Sequence, residues 1–231
     1  MTSAQLGFPV PSITNEVAIQ GHIGSIIDEL MSSLPNPRNL SAAQQRGIIA
    51  RYSSVLEGNF IYWMTAAYLA VRSEESRSII VDNLLEEVRD CHPGMLRRFA
   101  TAAHALPTDA DALAVSEELS QVRLFLGRLS AARIVLMMAF FEGFIQRFMA
   151  YLADLAGRQG SAEREYTDVH GVCDVAHSQG LFRALAAEMA LDESRPGTDL
   201  FEGVDLLRTL LQRIVETPAA TSARVASGLT Q

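Results

Sequence analysis

Apolar residues that recur every three or four positions dominate this chain and predict helices along most of its length. The pattern is clearest in residues 17–30, 48–71 and 79–88, and such spacing places side chains on one face of an α-helix. Short runs rich in Val, Ile and Thr and separated by turn pairs, which are typical of strands, do not recur in the sequence. The sequence therefore predicts an all-α fold of seven or eight helices.

Polar, Pro-containing and Gly-containing segments separate the predicted helices. A loop at residues 33–39 leads to Ser41, a predicted N-cap, and residues 106–109 form a second break. The helix after this break is predicted to end at residue 129. The later predicted helices cover residues 130–155, 163–190 and 199–215, and Asp199 is the predicted N-cap of the last one.

The length of 231 residues and the hydrophobic content of 48% suit a single globular domain. This apolar content excludes a disordered chain. We expect an N-terminal extension at residues 1–14, the domain at 15–216 and a flexible tail at 217–231.

Charge and cysteine usage narrow the possible partners and compartments. The net charge of −8 disfavours nucleic-acid binding. Cys91 and Cys173 cannot form a disulfide framework and are predicted to be small buried hydrophobes. Residues 1–13 lack the pattern of a secretory signal, and the most apolar stretch, 134–145, is too short to span a bilayer. A cytoplasmic protein with neither a nucleic-acid nor a membrane partner is expected.

Two of the five histidines belong to a pattern that suits metal binding. In the segment from His170 to His177, Asp174 and both histidines fall within a sector of roughly 60° on one helix face, at about 100° per residue. The alternative is a solvated surface with a salt-bridging aspartate. The neighbouring residues are mostly Val and Ala, which does not favour that alternative.

Glu142 interrupts the most apolar stretch of the sequence. Burying an unpaired carboxylate costs roughly several kcal/mol of folding free energy or more. Glu142 is therefore expected to be protonated, ion-paired or metal-bound. Arg133 and Arg147 are possible partners, although neither lies three or four residues from Glu142.

Two further segments carry carboxylates on apolar helices. Glu57 precedes an aromatic segment, and either a surface salt bridge or metal ligation would account for it. Glu86 and Glu87 precede His92, and one of the two glutamates is expected to be solvated. Since Pro93 disfavours α geometry at His92, that residue marks either a simple helix end or a break that aims the imidazole inward.

Carboxylates and imidazoles without thiolates suit iron or manganese better than structural zinc. Carboxylates supplied by several helices of a bundle are a recognised way to build a dinuclear iron centre. The order of these segments, with the helical Glu142 and the His170-x3-Asp174-x2-His177 motif as the most specific parts, resembles the haem-oxygenase-like diiron oxidases over roughly residues 45–190.

The resemblance implies a single-domain haem-oxygenase-like bundle that holds two Fe(II) ions and uses O2 as co-substrate. It also implies a homodimer, an external electron donor and a small-molecule substrate. The implied metal ligands are Glu87, His92, Glu142, His170, Asp174 and His177, with Glu57 as an additional carboxylate seen in some members.

The spacing of Glu87 and His92 departs from the family pattern. The two residues are five positions apart, which places them roughly 140° apart on a regular helix. Either the helix is broken between them, or Glu86 is the ligand, or one of these residues does not bind metal.

The resemblance favours an O2-dependent oxygenase that N-oxygenates a small amine in a biosynthetic pathway. Oxidative desaturation, decarboxylation or carbon–carbon fragmentation of an amino or fatty acid is the alternative reaction on the same site. A metal-free helical module that binds an organic ligand is the alternative of another class.

Overall fold

A computed structural model describes residues 16–191 and 199–216, without the side chains of residues 172–175. Within these ranges the chain forms nine α-helices and one 3-10 turn (Pro37–Asn39), and no strand occurs among the described residues. The helices are α1 (Glu16–Ser33), α2 (Ala42–Ala70), α3 (Glu74–Arg89), α4 (His92–Ala102), α5 (Asp109–Leu113), α6 (Ser116–Leu126), α7 (Ala131–Arg158), α8 (Glu165–Leu191) and α9 (Glu202–Val215). The predicted all-α class is confirmed.

The predicted start of α2 is confirmed in detail. Ser41 is the N-cap, its side chain accepts a hydrogen bond from the Gln44 N–H at 3.3 Å, and the Gln44 side chain accepts one from the Ser41 N–H at 2.9 Å. This reciprocal capping box satisfies two of the backbone donors that a helix N-terminus leaves without intrahelical partners.

Two boundary predictions are wrong. The helix predicted to run through residue 129 is two helices, α5 and α6, which raises the helix count to nine within the described ranges. The N-cap of α9 is Phe201, and Asp199 instead accepts a hydrogen bond from the Phe201 N–H at 2.9 Å. The predicted extension at 1–14 and the predicted tail at 217–231 lie outside the described residues.

Helix α7 forms the centre of the bundle and packs against α1, α2, α8 and α9. Its apolar side chains are buried almost all round, so it belongs to the core rather than to an amphipathic surface. Among the described helices, α7 alone has the length and composition to cross a membrane, and 72% of its most apolar window is buried inside the protein. Burial of this kind is expected for a central core helix.

Gly143 allows α7 to approach α1 closely. A Cβ at this position would lie 3.1 Å from Ile27 Cδ1 in α1 and 3.6 Å from Ser178 Oγ in α8. Gly143 directly follows Glu142, and Ser178 directly follows His177. The close approach of α1 to α7 therefore occurs beside a candidate metal ligand, and α8 is in ordinary van der Waals contact there.

A sharp turn separates α3 from α4. Cys91 adopts a left-handed backbone conformation with φ of 58°, and His92 is the first residue of α4. This conformation costs a residue with a side chain roughly 1–2 kcal/mol. Pro93 is tolerated because the first turn of a helix needs no backbone donor there. Cys91 is exposed, so the prediction that it is a buried hydrophobe is wrong, while the Cys173 side chain lies outside the described part of the chain.

Glu188 of α8 anchors the turn between α2 and α3. It is completely buried, and its Oε1 accepts hydrogen bonds from the backbone N–H groups of Arg72 at 3.0 Å and Ser73 at 2.8 Å. Ser76 adds a second link, since its hydroxyl donates to the Ala184 carbonyl at 3.0 Å. These contacts fix the start of α3 against α8.

Replacing Glu188 should destabilise the bundle. We expect Glu188→Ala to lower the free energy of unfolding by about 2 kcal/mol, because two backbone donors lose a charged acceptor. Urea unfolding followed by circular dichroism measures this change. The exposed Glu75 on α3 is the matched control, and Glu75→Ala should change stability by less than about 0.5 kcal/mol. Equal effects of the two substitutions would contradict the assigned role of Glu188.

Candidate metal centre

Three buried side chains from three helices form the first part of the site. Glu87 near the end of α3, His92 at the start of α4 and His170 in α8 offer ligand atoms that all lie within 4.8 Å of one another. His92 Nδ1 is 2.7 Å from Glu87 Oε1, and His170 Nε2 is 4.0 Å from the same oxygen. We call these three residues the first group.

The turn at Cys91 makes the first group possible. On a continuous helix Glu87 and His92 would diverge, whereas the break redirects the chain and brings the two side chains into hydrogen-bond contact. Of the three alternatives that the sequence left open, the structure shows a broken helix between these residues.

The backbone fixes the protonation pattern of His170. Its Nδ1 lies 2.8 Å from the Tyr166 carbonyl oxygen, which can only accept a hydrogen bond, so Nδ1 carries the proton. Burial lowers the pKa of His170, and the nearby Glu87 carboxylate opposes this shift only in part. The imidazole is therefore neutral at pH 7, with the lone pair on the Nε2 atom that faces Glu87.

A second group of side chains lies around His177 in α8. Its Nδ1 is 3.9 Å from Glu142 Oε2 in α7, and its Nε2 is 3.3 Å from Glu86 Oε2 in α3. Glu142 and His177 are buried, whereas about a third of the Glu86 side chain is exposed. We call Glu86, Glu142 and His177 the second group.

The backbone of Asp174 lies in α8 between His170 and His177, but its side chain is outside the described residues. Its predicted role as a ligand stays a prediction.

The described partner of Glu57 belongs to neither group. Glu57 forms an ion pair with Arg97 of α4, and its side chain is about one-third exposed. The surface salt bridge that the sequence offered as an alternative is therefore present, and metal ligation by Glu57 stays a prediction. The two arginines considered for Glu142 pair elsewhere, Arg133 with Glu202 and Arg147 with Asp28.

A small cavity of about 30 Å³ adjoins the first group. This volume holds about two water-sized groups. Phe60 and Phe141 line the cavity, whereas Trp63 packs edge-on against Phe141 and Phe140 stacks on Phe144 in the core. The remaining lining residues are Tyr52, Leu56, Ile61, Glu87, His92, Pro93, Leu96, Glu142, Ile145, Tyr166 and His170.

Sequence reasoning missed two tyrosines beside the site. The hydroxyl groups of Tyr52 and Tyr166 are 2.7 Å apart and buried, and the Tyr166 ring centroid lies 4.2 Å from that of His170. A signal for Tyr166 was present, because it lies one helical turn before His170. The sequence holds no comparable signal for Tyr52, which reaches the site through tertiary packing.

The donor atoms of the described groups suit an iron centre. Carboxylate and imidazole donor atoms from α3, α4 and α8 converge in the first group, Glu142 of α7 lies beside His177, and no cysteine belongs to either group. Oxygen-rich sites with some imidazole fit iron or manganese. The helical origin of the donors matches the way that bundles build carboxylate-bridged metal sites.

Comparison with known proteins agrees with this chemistry. No curated protein matches the chain. A family model described as "iron-containing redox enzyme", of the haem-oxygenase type, matches residues 50–211, a span that contains every described member of both groups. The chain thus belongs to the haem-oxygenase-like family of iron-containing redox enzymes and is an oxidoreductase.

Proposed function

We propose that this protein is a non-haem diiron oxygenase that uses O2 to oxidise a small molecule. The observation that carries the proposal is the buried first group, Glu87, His92 and His170, with the second group beside it. The first group would hold one Fe(II) ion. Glu142 and His177, together with Asp174, would hold the other.

When bound, two Fe(II) ions supply electrons and open coordination positions for the reduction of O2. The protein contributes the position and protonation of the ligands. The Tyr166 carbonyl holds the His170 ring so that Nε2 is available, and the Glu86 carboxylate orients the His177 ring. Apolar side chains around the cavity exclude water from the reacting groups.

We further propose that the substrate is an amine and that the reaction is N-oxygenation. None of the described residues that line the cavity is an arginine or a lysine. The cavity therefore offers no cationic partner for a substrate carboxylate, which favours an amino group over a carboxylate at the reacting end of the substrate. Because the cavity is small, it admits only that reacting end.

The proposed reaction balances with an external electron donor. A primary amine, O2, two electrons and two protons yield a hydroxylamine and water, so one oxygen atom forms a new N–O bond and the other is reduced to water. The donor returns two electrons in each turnover. A homodimer is part of the same proposal and rests on the resemblance alone, whereas the cytoplasmic location rests on the cysteine usage and N-terminal pattern of the sequence.

Loss of a proposed ligand should remove metal without unfolding the bundle. We expect His92→Ala or His170→Ala to remove one Fe(II) ion and His177→Ala to remove the other. Each change should weaken binding by more than the roughly 10–100-fold that loss of a supporting hydrogen-bond partner costs. Anaerobic equilibrium dialysis against Fe(II), with circular dichroism to follow the fold, measures the effect.

The matched control for the histidine variants is His22→Ala, since His22 is exposed on α1 and belongs to neither group. This variant should bind Fe(II) as the unmodified protein does. Two Fe(II) ions retained by His92→Ala and His177→Ala would contradict the proposed site, and absence of Fe(II) binding by the unmodified protein would favour a metal-free binding module.

The choice of reaction is tested by product analysis. We expect the Fe(II)-loaded protein, supplied with ¹⁸O2 and a reductant, to convert a member of a panel of small amines into a product with one labelled oxygen on nitrogen and an unchanged carbon skeleton. Mass spectrometry identifies this product. A shortened skeleton or a new carbon–carbon double bond would contradict N-oxygenation and favour the alternative oxidations.

A further inference from the structure

Two buried tyrosines join α2 to the first turn of α8, beside the first group. The hydroxyl oxygens of Tyr52 in α2 and of Tyr166, the second residue of α8, are 2.7 Å apart. This distance is the usual one for an O–H···O hydrogen bond. The first N–H groups of a helix have no partners within the helix, so contacts with other elements decide where its first turn lies. The Tyr52 hydroxyl is one of the contacts that fix the start of α8.

The position of the His170 ring depends on Tyr166 in two ways. Tyr166 lies one turn before His170 on the same face of α8, and the centroids of the two rings are 4.2 Å apart. The Tyr166 backbone carbonyl also holds the His170 Nδ1 atom at 2.8 Å. A shift of Tyr166 would therefore change both contacts that aim His170 Nε2 towards Glu87.

The two hydroxyl groups add a constraint that the packing of the rings does not supply. The Tyr166 ring packs against Phe99 with centroids 5.9 Å apart, and the Tyr52 ring packs against Phe148 with centroids 5.7 Å apart. Two phenylalanines could make the same ring contacts. Apolar packing is non-directional, whereas a hydrogen bond weakens steeply as its geometry departs from the optimum. The hydroxyl pair therefore fixes the direction of the Tyr166 side chain.

We propose that Tyr52 is a positioning residue for His170 and acts through Tyr166. Tyr52 is completely buried in the long helix α2 and so provides a fixed point for the first turn of α8. The consequence for Fe(II) rests on the proposed function. A His170 ring that is already held in place binds a metal more tightly, because less conformational freedom is lost on binding.

The first measurement uses the metal-free protein. Long-range ¹H–¹⁵N NMR spectra follow the exchange with water of the His170 Nδ1 proton, which is bonded to the Tyr166 carbonyl. Tyr52→Phe should speed this exchange at least about tenfold, because the first turn of α8 opens locally more often. The helix content measured by circular dichroism should not change.

The matched control is Tyr151→Phe. The Tyr151 hydroxyl donates a hydrogen bond to the Pro35 carbonyl at 2.9 Å, and Tyr151 lies nine residues after Glu142, about 13 Å along α7. This substitution removes a comparable hydrogen bond away from His170, so it should leave the exchange of the His170 proton within about twofold. Equal acceleration by the two substitutions, or no acceleration by Tyr52→Phe, would overturn the role of Tyr52.

The second measurement is anaerobic equilibrium dialysis against Fe(II). Loss of a hydrogen-bond partner of a metal ligand costs about 10–100-fold in metal affinity, and Tyr52 acts one residue further away, so Tyr52→Phe should weaken Fe(II) binding about three- to tenfold. Both single variants, in a His177→Ala background, report on the first position alone, because His177→Ala should remove the other ion.

A double-mutant cycle tests whether the two hydroxyls act as one unit. Tyr166→Phe and the double variant Tyr52→Phe/Tyr166→Phe should each match Tyr52→Phe in Fe(II) affinity within about twofold, because all three lose the same hydrogen bond. Additive losses in the double variant would overturn the proposed link between Tyr52 and His170 through Tyr166.

The two measurements separate this inference from the proposed function. Absence of Fe(II) binding by the unmodified protein would refute the proposed function, while the exchange of the His170 proton would still decide whether Tyr52 positions that ring. Fe(II) bound with the same affinity by the unmodified protein and by Tyr52→Phe would overturn only the role of Tyr52.

Discussion

The main constraint on this structure is the free-energy cost of burying carboxylates and imidazoles inside an apolar helical bundle. Glu142 lies in the most buried helix, surrounded along α7 by apolar side chains, and only 4% of its side chain is exposed. A carboxylate at such a depth is tolerated only with compensating partners. The bundle brings polar groups from α3, α4 and α8 to the same place, so that each charged or polar side chain faces others rather than hydrocarbon.

Local backbone features produce this convergence. The left-handed residue Cys91 ends one helix and begins another, which turns His92 back towards Glu87. Strained conformations of this kind persist when the surrounding structure holds them, and they often occur at functional sites. Gly143 acts differently, since the absence of a side chain lets Ile27 of α1 pack closely against α7 beside Glu142. Cys91 sets the direction of the chain after α3, and Gly143 sets the distance between α7 and its neighbour.

Local sequence patterns were sufficient to predict the parts of the site that a single helix determines. The spacing of His170 and His177, and the position of Glu142 in an apolar run, depend only on helical periodicity. The location of Glu57 in a surface ion pair, the contact of Glu86 with His177 and the reach of Tyr52 to Tyr166 depend on how helices pack. One sequence carries little information about those long-range contacts. The same reason explains the helix count, because the turn between α5 and α6 has no Pro or Gly to mark it.

The contacts between these groups also determine how strongly a cation can be held. Glu87 accepts a hydrogen bond from His92, and Glu86 accepts one from His177. A cation that takes Glu87 and His92 as ligands replaces the hydrogen bond between them, which is worth about 1.5–3 kcal/mol when one partner is charged. Because about 1.4 kcal/mol corresponds to a tenfold change in affinity, this exchange lowers the affinity for a cation by about one to two orders of magnitude. The hydrogen bond that lets the bundle bury Glu87 and His92 therefore competes with a cation for the same atoms.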